Sequence, residues 1–174
     1  MGDKFAKDMA VSKLSSSYNA VCDFIVSDGE SNISGKANVV KSDITTLTFI
    51  QPESYSSISI KGDNAGNEDI FSFELSGIPA AVPKSVTKDI TLMFSLFSDV
   101  IPAKIDTLDK EHFRISEKSN SIGNELIEVF FTENDMNYTI SYDKHSGIPY
   151  SLDAGNDELS VNIIISEFKQ TTNT

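Results

Sequence analysis

The chain has no tryptophan, one cysteine, one arginine and two histidines among its 174 residues. Each shortage removes a class of function. Without tryptophan there is no indole platform for stacking a sugar ring. With Cys22 alone there is no disulfide within the chain, and in "NAVCDFIV" that residue reads as a small buried hydrophobe on a strand. One cysteine suits the cytoplasm and a low-cysteine extracytoplasmic protein equally. Arg114 as sole arginine leaves almost nothing to grip phosphate or guanine with two parallel hydrogen bonds. Basic residues are outnumbered, 14 Lys+Arg against 26 Asp+Glu, for a formal charge of −12. The lysines are scattered (among them Lys4, Lys7, Lys13, Lys36, Lys41, Lys61, Lys84 and Lys88), so no basic patch offsets that charge, and nucleic acid and anionic lipid headgroups are repelled. No stretch of 18 apolar residues occurs, so the sequence holds neither a spanning helix nor an intact signal peptide.

Reaction motifs are equally scarce. Asp63, Glu68 and Asp69 cluster in "DNAGNED", and Asp153, Asp157 and Glu158 in "DAGNDE", but neither has the D-x-[DN]-x-[DN]-G spacing of a calcium loop. No serine, cysteine or threonine sits in a nucleophile motif, and "FELSGIP" lacks the pattern of a nucleophile elbow. The expectation is a protein that is not an enzyme and uses no cofactor or metal. A hydrolase built on Asp, Glu and His is the third alternative.

What is present is alternation. At 39% hydrophobic and 23% charged residues the composition is that of a folded globular protein. Short period-two runs bounded by Gly, Asn, Asp and Ser mark antiparallel strands with one buried face. Ala20, Cys22, Phe24 and Val26 share a face, Asp28-Gly29 offers a hairpin turn, and Ile33, Gly35, Ala37 and Val39 return on the same side. Leu47 and Phe49, then Ile58 and Ile60, then Phe71, Phe73 and Leu75 continue the pattern, with Pro52 expected at a strand end or bulge. Five more runs follow residue 112, from "HFRISEKS" to "ELSVNIIISEF".

Between the two sets the period changes. Ile90, Met93, Phe94, Phe97, Val100 and Ile101 recur at three- and four-residue steps, which predicts one principal helix over about 88–101, capped by Ser85 or Thr87 and stopped by Pro102. Its apolar stripe has two readings, a core helix packed into a curved sheet or a plug over an apolar cavity hinged at Gly77, Pro79, Pro83 and Pro102.

The segment "SYDKHSGIPYSLD" places Asp143 and His145 two residues apart, as in a catalytic or metal pair, yet His112 is distant and no third group is in view. Gly147 and Pro149 favour a hairpin turn instead, Pro149 starting an edge strand.

The early "FIVSDGESNISGKANVV" hairpin, "TFIQPESY", the helical insert and the late "ISYDKHSGIPYSLDAGNDELSVNIIISEF" together resemble the LolA/LolB-like half-open barrel family of bacterial extracytoplasmic lipoproteins and lipoprotein carriers, over most of residues 18–168. The resemblance implies a mainly β fold: a curved antiparallel half-open barrel of about ten strands with the helix on its concave face. The whole chain, 1–174, reads as a single domain, residues 1–16 forming an N-terminal extension or helix and 17–168 the half-barrel. It also implies a non-catalytic module that takes a lipid or acyl-chain ligand, with Met93, Phe94, Phe97, Ile101, Phe71 and Phe73 as the contact residues. Its expected place is extracytoplasmic, with membrane attachment through a lipid-bearing cysteine and leader that precede this sequence. The family's barrel-mouth arginine has no counterpart around residues 30–50. The alternative is a cell-envelope protein-protein interaction domain with a fully packed core, anchored by tyrosines such as Tyr18, Tyr55, Tyr138 and Tyr150.

Overall fold

The computed structural model describes residues 3–64, 72–81, 84–116 and 125–172. Among the described residues eleven strands form one antiparallel sheet, built as two meanders joined at their first and last members. The first meander runs β1 (Tyr18–Ser27), β2 (Asn32–Lys41), β3 (Ile44–Gln51), β4 (Ile58–Asp63), β5 (Ser72–Leu75) and β6 (Ile78–Pro79). The second runs β7 (Phe113–Ser116), β8 (Leu126–Glu133), β9 (Met136–Asp143), β10 (Pro149–Gly155) and β11 (Ser160–Gln170). Their order is β6-β5-β4-β3-β2-β1-β11-β10-β9-β8-β7, so β6 and β7 are free edges and the barrel stays open. The sheet has one strand more than alternation predicts. The additional strand is β6, whose two residues are too few to show a period.

Register follows the apolar pattern. Phe24 lies opposite Ile163 of β11 and Val26 opposite Val161, all four buried. On the other flank Cys22 faces Ala37 and Ala20 faces Val39. A slip of one residue would turn this whole set to water, which pins the pairing. Cys22 is fully buried, and burial pushes its thiol pKa up to about 12, so it is an inert packing group as its sequence context suggests.

Among the described residues three α-helices cover the inner face: α1 (Asp3–Ser15), α2 (Lys84–Ser95) and α3 (Val100–Thr107). The single helix predicted over about 88–101 is therefore two, and the reason lies in residues 95–102. The hydroxyls of Ser95 and Ser98 bond back to the carbonyls of Leu92 and Ser95, both at 2.7 Å, and the turn tightens with the Phe97 amide on the Phe94 carbonyl. A continuous helix would set Pro102 against the Ser98 carbonyl with no N–H to offer it. Restarting at Val100 puts Pro102 in the first turn of α3, where no donor is needed. Pro102 helps to begin a helix rather than to end one.

The N-terminal segment is held across the sheet. α1 packs on α3 and touches β10, and the Lys7 ammonium donates to the carbonyls of Asp106 and Leu108 at the end of α3. Lys41, one of the scattered lysines, is not at the surface: it is 2% exposed and donates to the Leu14 carbonyl at 2.7 Å.

The turn at 143–147 is structural. Asp143 Oδ1 accepts from the amides of His145 (3.1 Å) and Ser146 (2.8 Å) and from the Ser146 hydroxyl (2.8 Å), and Gly147 has φ +69°. His145 is exposed. Pro149 does open β10, but β10 is an interior strand between β9 and β11, not an edge. A register irregularity between Pro149 and Ser151 accommodates the missing donor. Burial works to raise the Asp143 pKa, but the hydrogen bonds outweigh it and hold it below the usual carboxylate value. Its contribution to stability is therefore full above about pH 3.9 and is lost as pH falls below that. Asp143→Ala should cost about 1–2 kcal/mol at pH 7, the lower part of the range for stripping partners from amides and hydroxyls because these are only partly buried, and much less at pH 2.5. Urea denaturation at the two pH values checks this; an equal loss at both would contradict the assignment.

Candidate functional site

The inner face is not filled evenly. Beneath α2 the first meander curls away and leaves a cavity of about 360 Å³. Phe24 and Phe49 meet edge to face at 5.4 Å, and Phe49 leans on Tyr55 at 6.2 Å, making one aromatic wall. Ile33, Ile58, Phe73 and Leu75 continue it along β2, β4 and β5, and Ile90 and Met93 form its helical side. Tyr55 is brought there by a 3₁₀ turn, Glu53–Tyr55, which follows Pro52 at the end of β3. Two carboxylates, Glu74 and Asp89, supply the charge among the described lining residues.

The two carboxylates differ. Both oxygens of Glu74 accept from the Lys61 ammonium, at 2.9 and 3.0 Å, so its charge is matched. Asp89 makes no ion pair among the described residues, because its neighbour Lys88 turns to Glu158 at 3.9 Å. Partial burial, reinforced by the negative charge of Asp28, raises the Asp89 pKa, and Lys88 draws it part of the way back.

The residues singled out from the sequence divide. Met93 and Phe73 line the cavity. Phe94 on α2, Phe97 in the turn after it and Ile101 on α3 are buried in the core and do not line the cavity. Phe71 lies outside the described residues. The cavity walls contributed by Phe24, Phe49 and Tyr55 were not foreseen. Their signal was faint: Phe24 sits in a strand that reads as plain core, and Tyr55 in a segment with no period.

A larger hollow of about 850 Å³ lies beside Gly35 and the Gln51-Pro52 segment, but it is a shallow groove whose rim residues Asp23, Ile25, Ile50 and Ile164 already face water. An occupant there would stay half in solvent. The other expected groups are scattered. His112 Nδ1 is 2.6 Å from Asp109 Oδ1 within one exposed turn, His145 is on another surface, and among the described residues no three His, Cys, Asp or Glu side chains are grouped to hold a metal. The groove next to Asp109, between α1 and residues 106–113, is lined by lysines and aspartates with Leu108 and Phe113, and by no serine, threonine or cysteine among the described residues. Tyr18, offered as a surface anchor, is buried under Phe168 at 4.7 Å, and Tyr138 stacks on Phe131 at 4.9 Å.

No family model and no curated protein matches the chain. Solved structures do match in shape. An uncharacterized conserved protein from Thermus thermophilus superposes over 98% of this chain and 88% of its own at 11% identity, with a TM-score of 0.55. A two-meander sheet left open at β6 and β7, with helices laid on the concave side, is the architecture the resemblance implied. The fold is a curved, half-open antiparallel barrel. LprF from Mycobacterium bovis (10% identity, 98% of this chain and 96% of that one, TM-score 0.48) and a LolA superfamily protein from Nitrosomonas europaea (7%, 100% and 96%, 0.43) are more loosely similar. At such identities shape alone is shared, and the chemistry has to come from this chain's own cavity.

Proposed function

We propose that the protein is a non-catalytic module that holds a hydrophobic ligand, an acyl chain or similar molecule, in the cavity under α2. The observation that carries this reading is the wall itself. A space of about 360 Å³ falls within the roughly 300–1,000 Å³ of small-molecule sites and is lined by aromatic and aliphatic side chains with few polar groups. Phe73 and Met93 line the space and would touch the ligand, whereas Phe94, Phe97 and Ile101 belong to the packed core. The resemblance to the LolA/LolB-like family supports a place outside a bacterial cytoplasm, with a lipid anchor as the means of attachment.

Native mass spectrometry with lipid extraction tests the reading, on protein as purified from cells and after incubation with fatty acids and lysophospholipid. One acyl species per chain is the expected result, and Ile90→Trp, which pushes an indole into the cavity, should reduce occupancy at least tenfold while leaving the circular dichroism spectrum unchanged. A ligand-free mass under all conditions would overturn it. In that case the envelope interaction reading takes over, with the exposed Ile25, Ile50 and Ile164 of the outer sheet face as its surface.

A further inference from the structure

Resting on the ligand-binding reading, we infer that the cavity takes one apolar chain of about ten carbons and holds a cationic end, such as that of an alkylamine, at least tenfold more tightly than a carboxylate or phosphate end. Size limits the chain. A cavity of ~150 Å³ lined by apolar groups takes benzene, so about 360 Å³ accommodates roughly a dozen heavy atoms, one chain and not two or three.

Charge sets the end group. The described lining offers no cation to meet a carboxylate or phosphate. Glu74 is committed to Lys61, so Asp89 is the group available to an incoming headgroup, and an ionised carboxylate can only accept hydrogen bonds. An ammonium at the mouth would donate to it in a charge-assisted bond, whereas an anion would meet repulsion from Asp89 and Asp28 that the exposed Lys88, drawn toward Glu158, offsets only in part. The formal charge of −12 acts in the same direction at longer range.

The test is isothermal titration calorimetry at pH 7 in 50 mM salt with n-decylamine, n-decanol and n-decanoate, below their aggregation concentrations, on the full chain and on Asp89→Asn. Decylamine should bind at least tenfold tighter than decanoate, with decanol between, and Asp89→Asn should bring the amine-to-carboxylate ratio to about threefold or less. Circular dichroism establishes that the variant is folded. Equal binding of amine and carboxylate by the native chain, tighter binding of decanoate, or a ratio that survives Asp89→Asn would each overturn the selection while leaving the cavity reading intact. No binding of any of the three by folded protein would overturn both.

Discussion

Gly35→Ala should be among the most damaging single-methyl changes in the protein, lowering stability by about 3 kcal/mol and the midpoint of thermal unfolding by roughly 6–12 °C. A Cβ at position 35 would stand 2.0 Å from the Gln51 carbonyl oxygen, 2.7 Å from its carbon and 3.0 Å from the Phe24 ring. Two of these three neighbours are backbone, which no rotamer change can move. The β2–β3 register is irregular at this point, between Lys36 and Ala37, so that Gln51 folds over Gly35 at the strand end before Pro52 turns the chain away. Relief would require β3 to shift, taking with it Phe49 and the turn that carries Tyr55, both of them cavity walls. The variant should therefore lose ligand as well as stability. Gly77→Ala is the control. Gly77 has φ +78° but nothing within 4 Å of an added Cβ, so its cost is limited to about 1–2 kcal/mol of backbone strain. A Gly35→Ala melting curve no lower than that of Gly77→Ala would show that β3 gives way easily and that the close approach is not a constraint.

Gly35 also shows what can be read from a sequence and what cannot. On its strand it alternates in step with Ile33, Ala37 and Val39, so the pattern reveals the face it shares but not that a partner carbonyl lies over it. The same division runs through the fold. Alternation in residues 18–63 and 113–170 found the long strands, because a one-sided burial period is written locally. The turn at Asp143 was legible for the same reason, since an Asx turn is closed by residues two and three positions on. Helix termini were less so. Ile90 to Ile101 keep an apolar period through the break at 96–99, and only the back-bonded serines and Pro102 reveal that two helices share the stripe. The cavity was least legible. Its walls come from β1 to β5, the turn at Tyr55 and α2, and the space between them depends on how far the first meander curls from the helix, a distance no local pattern encodes.

The second large effect concerns Lys41, whose burial no sequence feature announces. Its ammonium meets Asp99 Oδ1 at 2.6 Å, though without good hydrogen-bond geometry, and lies 5.8 Å from the centre of the Tyr18 ring. Asp99 sits at the corner between α2 and α3, where its amide also donates to the Asn64 carbonyl. One lysine thus ties the end of α1, strand β2 and the α2–α3 corner together. The two partners are unequally exposed, 2% for Lys41 and 49% for Asp99, and that inequality decides which change hurts more. Asp99→Ala leaves a buried ammonium with the Leu14 carbonyl as its remaining acceptor, and should cost about 3 kcal/mol, the lower end for breaking a buried pair from one side. Lys41→Met leaves Asp99 free to hydrate and should cost about 1 kcal/mol or less. The double variant should lie near Lys41→Met, since removing the lysine removes the stranded charge. Acidity gives an independent reading. Burial lowers the Lys41 pKa and Asp99 only partly restores it, so the folded value lies below the unfolded one. The cost of burying the charged form is full at pH below the folded pKa and is relieved as pH rises through that value toward about 10.4. The deficit of Asp99→Ala, measured by urea denaturation, should accordingly be largest near pH 7 and shrink by pH 9.5. If Lys41→Met proved the more damaging change, or the Asp99→Ala deficit grew with pH, the pair would be stabilising by its attraction rather than by sparing a buried charge from isolation.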